Sequence, residues 1–209
     1  MKNQSMLKGV LTGVLLLASL AVQAQSKVDQ TDPQQMILGL STVVLGELNE
    51  RAEELAANPG AIRAFADEHI LPFVDTNRMA RYIVGRYWRT ATEQQQQAFT
   101  EQFTLTMMRS YSQSLLKLKI DKIDVANALP DGNNRVIVPT RVTQADGSTA
   151  DVGYRVFKEA ATGNWLVYDV IVEGISLLVN FRESYTTDIE RRGFDQVILS
   201  MQERNQGFE

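Results

Sequence analysis

The sequence predicts an α+β fold in which helices at both ends of the chain pack on a four-stranded antiparallel meander. Apolar residues recur at a helical spacing up to about residue 118, alternate at every second position to residue 172, and then return to helical spacing. The turn-forming sequences PDGNN, ADGS and ATGN separate the alternating segments, and links this short join antiparallel neighbours. We therefore expect one sheet with helices before and after it.

Three helices are predicted at the N-terminal end. The first begins at the Asp32-Pro33 pair and ends at Asn58-Pro59-Gly60. The second runs from Ala61 to about Ile70, where Pro72 follows. The third is capped by Asp75 or Thr76 and ends near Gly85, because glycine commonly follows the last helical turn.

The fourth helix has the clearest pattern. Thr92 and Gln95 match a capping box, and Glu93 suits the positive end of the helix dipole. One face is an apolar row at i, i+4 spacing. The row consists of Phe99, Phe103, Met107, Tyr111 and Leu115.

Four strands follow this helix. They are predicted at Lys119–Ala128, Arg135–Gln144, Thr149–Lys158 and Trp165–Val172. Alternation predicts one apolar sheet face and one mixed, half-solvated face. The apolar face is expected to hold Val136, Val138, Thr140, Val142, Val152, Tyr154, Val156, Leu166, Tyr168, Val170 and Val172. The mixed face is expected to hold Arg135, Arg141, Asp151, Arg155, Trp165 and Asp169.

The stretch VYDVIVEGISLLVNF predicts a corner between the last strand and a C-terminal helix. Glu173-Gly174 forms a turn, and Ser176 caps a helix that continues toward Arg191 and ends at Gly193. A short terminal helix starts at Asp195. Leu177 is expected to fold back over the apolar face of the sheet.

Residues 1–24 are typical of a secretory signal peptide. Lys2 and Lys8 accompany an apolar run from Val10 to Val22, and Val22-Gln23-Ala24 resembles a cleavage site. The run is short for a membrane span, which takes about 20 residues. We expect cleavage near Ala24, export, and one domain over residues 25–209.

Composition excludes several partners and chemistries. Without Lys2 and Lys8 the basic count falls from 21 to 19 against 25 acidic residues, so the mature chain carries about −6 and gives no electrostatic reason to expect a nucleic acid partner. The chain has no cysteine, which excludes a disulfide, a thiolate nucleophile and a lipid-modified cysteine. We expect a soluble, unanchored monomer.

No sequence pattern supports a metal, nucleotide or dinucleotide site. His69 is the only histidine, and its position near a predicted helix end indicates a surface or capping residue. One enzymatic alternative stays open: a cone-shaped fold acting on a small apolar substrate, as in ketosteroid isomerases, with Asp169, Tyr154 and Tyr168 as candidates. Strand parity places Asp169 on the opposite face from Tyr168, which argues against that alternative.

The apolar stripes fit either a filled core or the wall of a container, and periodicity cannot separate the two. Three methionines slightly favour the container interpretation, because methionine adapts to varied apolar partners. They are Met79, Met107 and Met108. Basic residues around the third helix could meet phosphate at a pocket mouth or form a solvated helix face. They are Arg78, Arg81, Arg86 and Arg89.

Four segments carry a family resemblance. They are HILPFVDTNRMARYIVGRYWRTATEQQQQAFTEQF, NNRVIVPTRV, GNWLVYDVIVEGISLLVNFR and RRGFDQVI. The specific combination is LPF around Pro72, G-x-x-W at Gly85 and Trp88, and GNW-x-x-YD-x-x-x-EG-[VI]-S ending at Ser176. Together they resemble the MlaC family, also called the toluene-tolerance or Ttg2 substrate-binding family. The resemblance extends from about residue 31 to residue 201.

The resemblance implies a periplasmic phospholipid carrier of the Mla system and not an enzyme. It implies an NTF2-like sheet curved around a lipid pocket, with the head group facing solvent and no cofactor beyond the bound phospholipid. The implied partners are an inner-membrane ABC transporter complex and an outer-membrane lipoprotein and porin complex. The carrier would shuttle phospholipid between them to maintain outer-membrane lipid asymmetry.

Stripe parity, and not the resemblance, selects the expected lipid-binding residues. These are the side chains that the helical and strand patterns place toward the space between sheet and helices. They are Tyr82, Ile83, Phe103, Met107, Tyr111, Val138, Val152, Tyr154, Tyr168, Val170, Val172, Leu177 and Phe181.

Overall fold

The structure is a computed structural model that describes residues 28–208. The expected signal peptide, residues 1–24, lies outside the described residues. The helices are α1 (Pro33–Ala57), α2 (Pro59–His69), α3 (Thr76–Val84), α4 (Glu93–Lys117), α5 (Leu177–Arg192) and α6 (Phe194–Asn205). The strands are β1 (Ile120–Val125), β2 (Leu129–Pro130), β3 (Arg135–Gln144), β4 (Thr149–Lys158), β5 (Trp165–Val172) and β6 (Ile175–Ser176). Within the described part of the chain, no helix has the length and apolar character to cross a membrane.

The helix caps explain where the helices begin. Asp32 accepts the backbone N–H of Gln35, and Asn58 ends α1 and caps α2 by accepting the N–H of Gly60. Thr92 and Gln95 form the predicted capping box, with both reciprocal hydrogen bonds present. The predicted start of α2 was two residues late because Pro59 itself occupies the first helical turn, where its missing N–H has no cost.

The predicted four-stranded antiparallel meander is confirmed. The sheet order is β1-β3-β4-β5, and two-residue strands β2 and β6 pair with β3 and β5. The first predicted strand is split, because β1 ends at Val125 and the chain pairs with β3 again only at Leu129. The fold is therefore α+β, as the period switch in the sequence indicates.

A β-bulge in β5 corrects the predicted strand faces. Arg155 lies opposite Asp169 and Val156 lies opposite Val167, so Tyr168 is an extra residue in the ladder. The prediction that Leu166 and Tyr168 share a face with Val170 and Val172 is therefore wrong, as is the placement of Trp165 on the mixed face. An extra residue inverts the alternation beyond it, and no turn or glycine in the sequence marks the position.

The observed inner face is the one that α1 covers. It holds Val136, Val138, Thr140, Val142, Val152, Tyr154, Val156, Trp165, Val167, Val170 and Val172. Met36 and Ile37 of α1 pack there against Val138, Val156 and Val167, all buried. Burying a side chain of this size stabilises the fold by roughly 1.5–3 kcal/mol.

Helices α3 to α6, from both sides of the sheet in sequence, form a second packed group. A core joins α3, α4, α5 and α6 through Ile83, Phe99, Phe103, Leu178 and Met201. The elements that pack most closely on the sheet are α1, α3 and α5, whereas α4 packs mainly on the other helices. Helix α4 therefore contacts the sheet less than α1, α3 and α5 do.

Candidate functional site

Exposure rises along the inner face from one end of the sheet to the other. Val156 and Val138 are both 0% exposed, Tyr154 and Val170 are half-buried, and Val172 is 38% exposed. The covered end lies under α1, and the open end lies next to the β5–α5 corner. The inner face is thus a filled core at one end and accessible apolar surface at the other.

Helices α4 and α5 supply a second apolar surface. Met107 and Phe181 are half-buried at the edge of the helical core, and the Phe181 ring packs edge-on against Phe103 at 5.2 Å. The Tyr111 ring lies 6.3 Å from Phe181 and is 41% exposed. Leu177 begins α5 and is half-buried. Side chains with accessible apolar surface therefore occur on both α4 and α5.

Tyr154 provides a polar group within this apolar environment. Burial raises the pKa of its hydroxyl, yet the residue keeps accessible surface, and the hydroxyl makes no hydrogen bond with another described residue. The neighbouring hydroxyl of Thr140, on the same face, is buried and has no partner among the described groups. Two hydroxyl groups on the inner face, those of Tyr154 and Thr140, thus have no hydrogen-bond partner among the described residues.

The remaining predicted lipid-binding residues lie elsewhere. Ile83, Phe103 and Val138 are at most 1% exposed, so they offer no surface to a ligand and belong to the core. Tyr82 points outward, 40% exposed, with the Arg182 guanidinium over its ring at 5.0 Å. Tyr168 lies on the outer face, where it contacts Phe157 and bonds to Asp131.

The candidate catalytic residues are not assembled into a site. Asp169 lies on the outer face, as predicted for the mixed face, and Tyr168 lies there too, contrary to the predicted parity, whereas Tyr154 lies on the inner face. Asp169 is 2% exposed and accepts hydrogen bonds from Arg155, Ser176 and the backbone N–H of Leu178. Structural donors occupy three of the roughly four acceptor positions of this carboxylate, and the group is buried, so it is poorly placed to take a proton from a substrate.

Two of the four basic residues around α3 form ion pairs, and the other two are exposed. Arg78 pairs with Asp75 and stacks on the Phe157 ring, and Arg86 pairs with Glu190. Arg81 and Arg89 are exposed. The four side chains therefore do not form one phosphate-binding cluster.

Two clefts are open at the surface. One, of about 600 Å³, lies on the outer face of the sheet and is lined by Ile137, Pro139, Gly153 and Ile171 among others. The second, of about 470 Å³, lies between α2, α3 and α4. Its lining is mainly amide, hydroxyl and charged side chains, which suits polar ligands better than acyl chains.

No metal centre forms in residues 28–208, where no group of three or more His, Cys, Asp and Glu side chains is placed to hold an ion. His69 is the last residue of α2, near a helix end as predicted, but its side chain is only 11% exposed, so the expectation of a surface histidine is wrong. Its ring packs against Phe65 at a centroid distance of 5.3 Å, and Nε2 lies 3.7 Å from a Glu68 carboxylate oxygen.

An antiparallel sheet with one face under a long N-terminal helix defines an α+β protein with an NTF2-like fold. A phospholipid-binding protein from Ralstonia solanacearum, solved in complex with a phospholipid, has the same fold. It superimposes with a TM-score of 0.76 at 24% identity and covers 85% of this chain and 98% of that one. The profile of the family described as MlaC protein matches residues 39–203. The chain belongs to the MlaC family.

Two relatives of known sequence agree with this assignment. The toluene tolerance protein ttg2D of Pseudomonas putida is 31% identical over 189 residues, which is 90% of this chain and 84% of that protein. The intermembrane phospholipid transport system binding protein MlaC of Haemophilus influenzae is 20% identical over 203 residues, 96% of this chain and 95% of that protein. The family resemblance seen in the sequence is thereby confirmed.

Proposed function

We propose that this protein is a periplasmic phospholipid carrier whose acyl-chain site lies between the open end of the inner face and helices α4 and α5. The observation that carries the proposal is the accessible apolar surface on both sides of this space, in a chain of the MlaC family. The proposed tail contacts are Met107, Tyr111, Val152, Tyr154, Val170, Val172, Leu177 and Phe181. Ile83, Phe103 and Val138 support this wall from behind.

The energetics of acyl chains require a protein-to-protein transfer. Two chains contain roughly 30 methylenes, and at ~0.8 kcal/mol each their burial is worth on the order of 20 kcal/mol before the costs of binding. Release into water is therefore negligible. Cargo leaves only where another apolar path meets the open end of the site, next to exposed Val172, Ile175 and Val179.

The proposed partners are those that the family resemblance implies, and the name of the Haemophilus relative, which refers to an intermembrane phospholipid transport system, supports them. An outer-membrane lipoprotein and porin complex exchanges phospholipid with the carrier on one side, and an inner-membrane ABC transporter complex does so on the other. This exchange maintains outer-membrane lipid asymmetry. The proposal includes export by the signal peptide, with cleavage near Ala24.

Catalysis on an apolar substrate is not favoured by any group in the described structure. The buried carboxylate of Asp169 accepts hydrogen bonds from three structural donors, and its face of the sheet is opposite to that of Tyr154. These contacts support a structural role for the aspartate. We therefore propose a carrier and not an enzyme.

Native mass spectrometry of the chain purified from periplasm without detergent tests the carrier function. Adducts of phospholipid mass, identified after organic extraction, are expected, and their number gives the lipids held per chain. A mass without adducts that stays unchanged after mixing with phospholipid vesicles would show that the apolar surfaces are ordinary core.

A further inference from the structure

The outer face of the sheet carries an exposed apolar patch that the carrier function leaves unused. Pro139 lies opposite Gly153, Gly153 lies opposite Ile171, and the N–H of Ala126 bonds to the Pro139 carbonyl. Pro139, Gly153 and Ile171 form one row across β3, β4 and β5, and Ala126, just beyond β1, continues it. We call them, with the flanking residues, the outer patch: Ala126, Leu129, Ile137, Pro139, Gly153 and Ile171.

The outer patch is open to solvent. Leu129 pairs with Ile137 and is 55% exposed, and Ile137, Pro139 and Ile171 are each only half-buried. A solvated face of an antiparallel sheet normally carries polar residues. Contiguous exposed apolar surface on such a face indicates an interaction site.

The centre of the outer patch holds two residue types that normally avoid the middle of a β-strand. Pro139 and Gly153 are poor strand formers, yet they face each other on the two central strands. A Cβ added to Gly153 would lie 3.4 Å from Ile137 and 3.6 Å from Ile171, which is ordinary contact. Crowding therefore does not require glycine, and the bare backbone marks a place where another molecule approaches closely.

A charged row borders the outer patch. Asp124, Arg141 and Asp151 lie opposite one another on β1, β3 and β4, and the N–H of Glu173 bonds to the Asp151 carbonyl. Arg141 pairs with Asp151 at 2.9 Å, and the Glu173 carboxylate accepts the Asp151 N–H at 2.7 Å. Lys122 on β1 also pairs with Asp124, at 2.6 Å. The three carboxylates therefore exceed the two cationic groups, Arg141 and Lys122, by one, which favours a cationic group on whatever binds beside them.

We propose that the outer patch is a docking surface for a protein segment that presents apolar side chains flanked by lysine or arginine. The cleft of about 600 Å³ accommodates a few side chains of such a segment, and the bordering carboxylates select its charge. The same carboxylates repel anionic fatty acids and phospholipid head groups. The proposed lipid site is on the opposite face of the sheet, so docking at the outer patch leaves the cargo in place.

Nuclear magnetic resonance titration of the full mature chain tests this inference. The probe is the peptide Ac-KLIKLIK-NH2, and its acidic counterpart Ac-ELIELIE-NH2 is the charge control. The basic peptide is expected to shift the resonances of Ile137, Gly153 and Ile171 and to bind about tenfold more tightly than the acidic one. Equal binding of the two peptides, or shifts confined to other surfaces, would overturn the proposal.

Two variants on strand β4 distinguish a loss of docking from a loss of folding. Gly153→Val fills the centre of the outer patch and is expected to weaken the basic peptide about tenfold. Thr149→Val, four positions away on the same face, should bind as the unmodified chain does. If Gly153→Val disturbs folding, the double variant Asp124→Asn/Glu173→Gln replaces it. This variant is expected to bind the basic peptide severalfold more weakly. Unchanged binding would contradict the inference.

Cross-linking in living cells identifies the natural segment. With p-benzoylphenylalanine in place of Ile171, the captured peptide should contain apolar residues flanked by lysine or arginine. A captured peptide rich in acidic residues, a peptide from a second copy of this chain, or a lipid adduct would each overturn the proposal.

Discussion

The Asp169 carboxylate accepts a 2.6 Å hydrogen bond from the hydroxyl of Ser176, the residue that caps helix α5 by accepting the N–H of Val179. The same carboxylate accepts the N–H of Leu178 and a hydrogen bond from Arg155 on β4. One buried group thus ties the bulge of β5 to the neighbouring strand and to the first turn of α5. The corner that follows β5 is fixed by side-chain chemistry as well as by packing.

Replacing Asp169 by Asn is expected to lower the free energy of unfolding by about 2–4 kcal/mol, because Arg155 loses its buried partner and the cap of α5 is weakened. Urea unfolding followed by circular dichroism measures the change. Asp151→Asn is the control, because its ion pair with Arg141 is exposed and such pairs stabilise little. Equal midpoints for the two variants would contradict the structural role of Asp169.

A charge on the proposed site wall should separate lipid binding from folding. Val152→Glu places a carboxylate at a half-buried inner-face position, and we expect a folded chain with less bound lipid because a charge is costly next to acyl chains. Native mass spectrometry gives occupancy and circular dichroism gives folding. Val138→Glu, at a position 0% exposed, is expected to unfold the chain instead. A folded Val138→Glu variant would show that the core assignment is wrong.

Two glycines should respond in opposite directions to alanine. Gly85 has φ 56° and ψ −118°, and a Cβ there would lie 3.2 Å from the Arg182 guanidinium. We expect Gly85→Ala to destabilise the fold by about 1–3 kcal/mol. Gly46 lies within α1 with nothing within 4 Å of an added Cβ, so Gly46→Ala should stabilise by about 0.5–1 kcal/mol. Thermal unfolding distinguishes the two signs.

The orphan hydroxyl of Thr140 predicts a stabilising substitution. Its Oγ1 is buried without a partner among the described residues, so Thr140→Val removes an unsatisfied group at nearly constant shape. We expect the free energy of unfolding to rise by about 1 kcal/mol. Thr106→Val is the opposite case, because its hydroxyl bonds to the Gln102 carbonyl and the Asn205 amide, and a loss of about 1–2 kcal/mol is expected. Denaturant titration measures the free energy of unfolding of both variants. A destabilised Thr140→Val or a stabilised Thr106→Val would contradict the prediction.

Stability should also fall in alkaline solution. Burial raises the pKa of the Tyr154 and Tyr185 hydroxyls, so the folded chain holds these protons more tightly than the unfolded chain. The contribution is fully present below the unfolded pKa of about 10 and is lost as the pH rises through the folded values. Phenolate absorbance and circular dichroism recorded together should show ionisation accompanied by unfolding. Tyr154→Phe should weaken this pH dependence, and an unchanged profile would argue against a buried hydroxyl.

The elements of the fold were predictable because their signals are local. The Thr92 capping box, the turn sequences and the change in period each act over a few residues, and each is present in the structure. The bulge at Tyr168 was not predictable, because it depends on how β5 fits β4 and on the buried contacts of Asp169. One inserted residue then inverted the predicted faces of Trp165 and Leu166.

The other difference between the sequence predictions and the structure is how deeply each residue is buried. Periodicity shows that Val138 and Val152 share a face, but it cannot show that α1 seals the first and leaves the second accessible. The sequence does carry a signal at Pro139 and Gly153, since both residue types are unfavourable in central strands. That signal indicated an unusual surface without saying what meets it.

The outer edge of β5 is closed by short segments from distant parts of the chain. Val74 pairs with Val167, the Gln30 carbonyl accepts the N–H of Trp165, and β6 covers Ile171 and Val172. Gln30 and Trp165 are 135 positions apart, so this protection forms only after long-range contacts close, which is a slow step in folding. Until then a strongly apolar strand has an unpaired edge, which is a template for intermolecular pairing. Before this edge closes, we expect the unfolded chain to self-associate through β5.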